Sequence, residues 1–404
     1  MQVRPILSAM MRNKVAPSLI AAQIAITLAV LCNALFIIQQ RLSFSRRPTG
    51  TDEANLFYIS NQWVGRNGDL DALARGDIAA LRAVPGVIDA FISNSYPLAN
   101  GGWGDAVSLT PGQTHATASS AIYFADEHGL NTLGVHLNAG RNFEAAEVRD
   151  FHLNELTPPA AAILSRDLAS KLYPRGSALG QTLYLPSLKS TVPIVGIVDR
   201  MQVPWVAGGG PRNEGDSLFL PFRFVALYSQ YLIRTQPGRL RAVMRDVEKK
   251  LFEISRNRVL ERVESLPDAR IRAYRDDRGL ATILSVVCGI LLAVTAFGIV
   301  GVTSHWVGQR QRHIGIRRAL GATRLGIVRY FQLENLLISG TGAAAGIGLA
   351  LLLNLWMVRR FEMERLHLQY MLIGAIVLLV LGQVAALWPA LRAASIPPAS
   401  AARI

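Results

Sequence analysis

Four apolar runs constrain this 404-residue chain more than anything else in it. Residues 17–38, 280–303, 330–358 and 369–391 are each long enough to cross a bilayer, which takes ~20 mostly apolar residues in a helix. Lipid offers the backbone no hydrogen-bond partner, so such runs must satisfy their own amides as helices. Three of the runs hold no charged residue, and 330–358 holds one, Glu334. The spacing predicts an integral membrane α-helical protein of four transmembrane helices. Residues 39–279, between the first two, are long enough for a large extracytoplasmic domain with a core of its own. The first run follows Arg4, Arg12 and Lys14, as a signal peptide would. Its apolar stretch exceeds the ~7–15 residues of a cleaved segment and no small-x-small site closes it, so we read an uncleaved anchor.

Charge orients the spans. The chain carries 42 basic and 28 acidic side chains, a balance that by itself suggests a nucleic-acid partner. The excess is not on the insert, however: residues 41–279 hold 28 basic and 25 acidic groups. It lies beside the membrane runs. The N-terminal tail, the loop after the second span and the C-terminal tail together hold eleven basic residues and no acid. Short basic loops stay cytoplasmic. We therefore expect a cytoplasmic tail at 1–16, spans at 17–38, 280–303, 330–358 and 369–391, and a periplasmic domain at 39–279. A cytoplasmic loop at 304–329, a short periplasmic loop at 359–368 and a cytoplasmic tail at 392–404 complete the topology. The expected partners are membrane lipids, not nucleic acid, and the expected location is a bacterial inner membrane.

The insert reads as α+β. Residues 39–55 read as a linker, 56–60 as a strand and 69–83 as an amphipathic helix, which Pro85-Gly86 stops before a strand at 87–93. A second strand–helix–strand unit follows at 231–264. Its helix runs from Pro237 to about Arg256, and residues 269–273 return as an extended segment. The two units are expected to pack together as an α/β part, about 55–100 and 222–275. A β-rich part at about 101–221 is inserted between them. Within it, 183–185 and 192–198 read as strands, 161–172 as a helix and 208–211 as a mobile glycine-rich loop.

Enzyme motifs are missing. No G-x-x-x-x-G-K-[ST] phosphate loop, G-x-S-x-G or H-E-x-x-H occurs in the 404 residues. The two cysteines, Cys32 and Cys288, both fall in spans, so the insert has neither a disulfide nor a cysteine metal site. Asp126-Glu127-His128 reads as an exposed turn before it reads as metal ligands, and Asp276-Asp277 as solvated carboxylates beside a span. We assign no catalytic residue, no metal and no cofactor.

The loop after the second span is the densest positive segment. Arg310, Arg312, His313, Ile314, Ile316, Arg317, Arg318 and Leu320 suit a short amphipathic helix. Gly321 suits its left-handed end, and Thr323 suits the N-cap of the next helix. Two uses fit the residues equally: an anchor lying on anionic headgroups, or a docking helix for a cytoplasmic protein. Glu334 lies about one turn into the third span, where an acid either snorkels or pairs, with Arg329 or Arg324 in reach. Gly342 and Gly346 form a small-x-x-x-small face that suits packing within the subunit or a dimer contact.

Residues 312–323, R-H-I-G-I-R-R-A-L-G-A-T, with Glu334 beyond, resemble the signature of MacB/FtsX-like ABC transporter permeases. The segments Gly140-Arg141-Asn142-Phe143, 163–180 and 194–198 resemble the MacB-like periplasmic core domain, and 389–403 the family's C-terminus. His313 stands where the family has Glu. The resemblance covers nearly the whole chain and is weakest at 201–217. It implies a dimeric permease of four spans whose loop helix sits in a groove of a separate cytoplasmic ABC ATPase. That ATPase would bind the ATP and Mg. ATP-driven motion would pass to the periplasmic domain for export or efflux, with a second permease subunit and a periplasmic adaptor or outer-membrane channel as further partners. Two alternatives keep the architecture: a non-transporting complex that regulates a cell-wall hydrolase or sensor, and a membrane-anchored enzyme.

Overall fold

The structure, a computed structural model, describes residues 15–65, 69–152, 157–206, 215–319, 321–361 and 365–395. Arg4, Arg12, Lys14, the 208–211 loop, Leu320 and most of the C-terminal motif lie outside the described residues. Elements run in chain order from helix α1 (Val15–Ser45). Then come β1 (Leu56–Trp63), α2 (Leu70–Arg82), β2 (Val87–Ser93), β3 (Trp103–Val107), β4 (Ala118–Phe124), α3 (Gly129–Leu133) and β5 (Leu137–Gly140). Next are β6 (Arg149–Phe151), β7 (Ala162–Ser165), α4 (Arg166–Leu172), β8 (Thr182–Leu185), β9 (Ser190–Val198), β10 (Ser217–Leu220), β11 (Phe222–Phe224) and β12 (Tyr228–Thr235). The chain continues through α5 (Leu240–Ile254), β13 (Arg258–Ser265), α6 (Leu266–Ala273), α7 (Arg275–Gln309), α8 (Gln311–Ala319), α9 (Arg324–Phe361) and α10 (Leu368–Ala394). It divides into two compact units: residues 1–45 with 276–404, and Arg46–Arg275.

In the first unit α1, α7, α9 and α10 are each long and apolar enough to cross a membrane. Each helix overruns the apolar run that marks it. Composition marks the hydrocarbon-compatible stretch, whereas the backbone ladder continues past it into polar sequence. Residues 39–45, expected in a linker, therefore continue α1. This helix buries Ile24, Leu28 and Cys32, four residues apart, on one stripe. Polar side chains tie it to its neighbours. Thr27 Oγ1 lies 3.0 Å from Thr295 Oγ1 of α7, and Asn33 Nδ2 donates to Ala350 O of α9 at 3.3 Å. Asp277, expected in solvent, accepts from Arg41 Nη1 at 2.8 Å. Both cysteines are free thiols.

In the second unit, β13-β1-β12-β2 form a four-stranded antiparallel sheet. β1 and β2 both run antiparallel to β12 and are joined by α2; β12 and β13 flank β1 and are joined by α5. The two strand–helix–strand units thus interleave, in the ferredoxin-like arrangement of split βαβ units, and everything between β2 and β12 is an insertion. Strand alternation sends Phe57, Ile59, Ile233 and Ile92 to the face that Ile78, Leu81, Val243, Val247 and Leu251 of the helices cover. Leu56, Tyr58, Leu232 and Phe91 point the other way, toward α3 and α6. α2 starts where the Asp69 carboxylate accepts from Asp71 N at 2.9 Å and Ala72 N at 3.2 Å. A fully buried pair pins the helix layer: Asp77 of α2 accepts from Arg258 at 2.8 and 2.9 Å and from Tyr231 Oη at 2.6 Å. The Arg258 guanidinium also lies 4.2 Å from the Trp63 ring centroid.

The inserted part carries a mixed sheet, β3-β4-β10-β7-β9-β5, with β8 paired to β9. Trp103, Phe124, Phe151, Phe222 and Phe224 form one aromatic cluster that joins it to the small β6–β11 pair.

Three local expectations need correction. Residues 162–165, expected as helix, form β7, and α4 starts only after Ser165, whose Oγ accepts from Leu168 N at 3.3 Å. A short, wholly buried apolar run has no period that separates strand from helix. Residues 269–273, expected as extended, lie in α6, capped by Ser265 Oγ accepting from Asp268 N at 3.2 Å with Pro267 in the first turn. α5 begins at Leu240 because Gly238, at φ +79, cannot continue a helix back to Pro237.

Candidate coupling site

The elbow after the second span is a helix. α7 ends at Gln309, Arg310 makes a turn, and α8 follows at once. Backbone bonds run on through the joint: Arg310 N donates to Trp306 O and Ile314 N to Arg310 O, each at 3.0 Å. Gly321 takes φ +94, the left-handed end that a glycine allows without strain. Thr323 Oγ1 then accepts from Gly326 N at 3.1 Å to begin α9.

Ile314 is the inward apolar residue of α8. It is buried against Val307 of α7, Ile327, Val328 and Phe331 of α9, and Ala390, Ala393 and Ala394 of α10. Ile316 is half exposed and faces away from that cluster. Arg312, His313, Arg317 and Arg318 lie on the same helix, but their side chains are outside the described residues, as is Leu320.

Glu334 is 1% exposed, so it does not snorkel. Its partner is Arg310, whose Nη1 lies 3.1 Å from Oε1 and 3.0 Å from Oε2. Neither Arg324 nor Arg329 fills that role; both are exposed. Helical geometry explains the correction. At 100° per residue, Arg329 lies about 140° around α9 from Glu334 and faces away from it. Arg310 comes from another element 24 positions back, which no local spacing announces. Arg310 also lies 6.0 Å from the Trp306 ring centroid. Deeper in α9, Asn335 and Ser339 are buried, and Asn335 Nδ2 and Ser339 Oγ have no hydrogen-bond partner among the described residues.

Gly342 and Gly346 meet the chain's own first helix. A Cβ on Gly342 would stand 2.8 Å from Ala21 O, and one on Gly346 would stand 2.9 Å from Leu28 Cβ. In this chain α1 packs against that face. In the domain, Asp126 is buried rather than exposed. Burial raises its pKa, opposed by Arg82, which lies 3.3 Å away, while His128 Nδ1 meets Asp89 at 3.0 Å. Among the described residues no three His, Cys, Asp or Glu side chains gather to hold a metal ion.

Four membrane-length helices, an α+β domain inserted after the first and a short helix at the elbow after the second define a polytopic membrane-protein architecture. Residues 19–250 match the MacB-like periplasmic core domain and residues 285–398 the FtsX-like permease C-terminal family. The chain belongs to the MacB/FtsX-like family of ABC transporter permeases. The macrolide export ATP-binding/permease protein MacB 2 of Aeromonas hydrophila is 24% identical over 268 residues, covering 64% of this chain and 39% of that protein. MacB 1/2 of Paracoccus denitrificans is 27% identical over 313 residues, covering 75% of this chain and 42% of that protein. The chain thus spans about two fifths of the length of these curated relatives. The periplasmic region of MacB from Actinobacillus actinomycetemcomitans aligns at 11% identity with a TM-score of 0.35, covering 56% of this chain and 95% of that one.

Proposed function

We propose that this permease passes ATP-driven motion of an ABC ATPase to the Arg46–Arg275 domain, for export or efflux. The ATPase, which binds ATP and Mg, lies outside the 404 residues. α8 is its docking element on the cytoplasmic side, with both chain termini on that side and the domain across an inner membrane. The observation that carries the reading is the seating of α8. Ile314 is buried in a cluster drawn from α7, α9 and α10, while Ile316 of the same helix stays exposed. A force applied to such a helix reaches three spans at once. Pairing with a second permease subunit, and with an adaptor or outer-membrane channel beyond the membrane, belongs to the same reading.

Charge reversal tests it. Arg317→Glu with Arg318→Glu is expected to abolish co-purification of the ATPase from native membranes while the chain still inserts. Undiminished co-purification and ATP turnover in that variant would refute docking through α8.

A further inference from the structure

The ion pair at the elbow has more to do than neutralise a charge. α8 has nine residues, too few to hold a helix or an orientation without tertiary support. Its buried apolar anchor among the described side chains is Ile314, seated against α7, α9 and α10, and one side chain does not by itself set the angle of a short helix. Arg310 stands at the joint between α7 and α8, and its guanidinium reaches across to both oxygens of Glu334 in α9. Glu334 is fixed in the wall of a long helix and cannot follow a pivoting partner. A buried acid inside a span is costly unless met by a cation, so the pair resists separation. Arg310 ties the joint from which α8 starts, and Ile314 seats the helix one turn on, so the two contacts together hold α8 against the bundle.

We infer that Arg310 and Glu334 are positioning residues: their ion pair is a strut that sets the angle of α8 and makes α8 and α9 move as one. The inference rests on α8 being the ATPase contact for its role in coupling, but not for the strut itself.

The test reads both. A spin label on Ile316→Cys, in a Cys32→Ala/Cys288→Ala background in lipid nanodiscs, reports the motion of α8. ATP turnover of the co-purified complex reports coupling. Glu334→Gln and Arg310→Gln are expected to mobilise the label and to lower coupled turnover about tenfold, within the usual range of coupling between sites, with the ATPase still bound. Arg310→Glu/Glu334→Arg is expected to restore both readouts. Glu334→Asp keeps the charge but shortens the reach by one methylene; it is expected to mobilise the label as well, which simple neutralisation does not predict. A label as immobile in Glu334→Gln and Glu334→Asp as in the parent overturns the strut. If no version of the chain retains an ATPase, the docking reading fails, and the label alone still decides the strut.

Discussion

Asp77 and Arg258 show what a single residue is worth here. Both side chains are fully buried, each is the other's counter-ion, and Tyr231 Oη supplies a further hydrogen bond. Asp77→Asn leaves a guanidinium in the core without its countercharge, which costs about 3–5 kcal/mol. Tyr231→Phe removes one hydrogen bond and costs about 1 kcal/mol. Chemical denaturation of the detergent-solubilised chain, followed by proteolysis of the Arg46–Arg275 unit, should rank the two in that order. An Asp77→Asn midpoint equal to the parent's would show that the pair does not bear on stability. Glu334 obeys the same rule in the membrane unit. That it needed a cation was legible from its place in an apolar run. Which cation was not, because Arg324 and Arg329 are nearer in sequence and only the return of the chain brings Arg310 beside it.

Among the elements, α1 and α9 pack closely because glycine lets them. Gly346→Ala drives a methyl group to 2.9 Å from Leu28 Cβ and 3.0 Å from Ala25 Cα. Overpacking of this kind costs about 1–3 kcal/mol. Gly348, two residues on, has nothing within 4 Å of a built Cβ. Gly348→Ala should therefore be neutral or stabilising by up to ~1 kcal/mol through helix propensity. Thermal unfolding in detergent should separate the two, with the oligomeric state unchanged in both. A dimer lost in Gly346→Ala alone would return this face to a second subunit. Local chemistry announced where several elements start and stop: Pro85-Gly86 after α2, and Gly321 and Thr323 between α8 and α9. It failed at 162–165, where burial on all sides erased the period.

At the scale of the whole chain, the testable claim is topology. Cysteines at the exposed positions Thr114 and Ile316, in the Cys32→Ala/Cys288→Ala background, report the two sides. In spheroplasts a membrane-impermeant maleimide should modify Cys at 114 and reach 316 only after lysis. Labelling of 316 from outside would reverse the orientation and remove the cytoplasmic docking of α8 with it. The insertion of a β-rich part into an α/β part was legible, since two strand–helix–strand patterns bracket a strand-rich stretch. The interleaved order β13-β1-β12-β2 was not.

Sequence alone determined the four spans, the charge bias beside them, the inserted α+β domain and the glycine and threonine that frame the elbow. Each of these depends on the composition of a run or on neighbours within a helical turn, and such causes act along the chain. Tertiary structure decided that Arg310 holds Glu334, that α1 covers Gly342 and Gly346, and that Asp77 meets Arg258. Those contacts join residues 24 to 321 positions apart, and only the packed chain chooses among the partners that charge or size would permit.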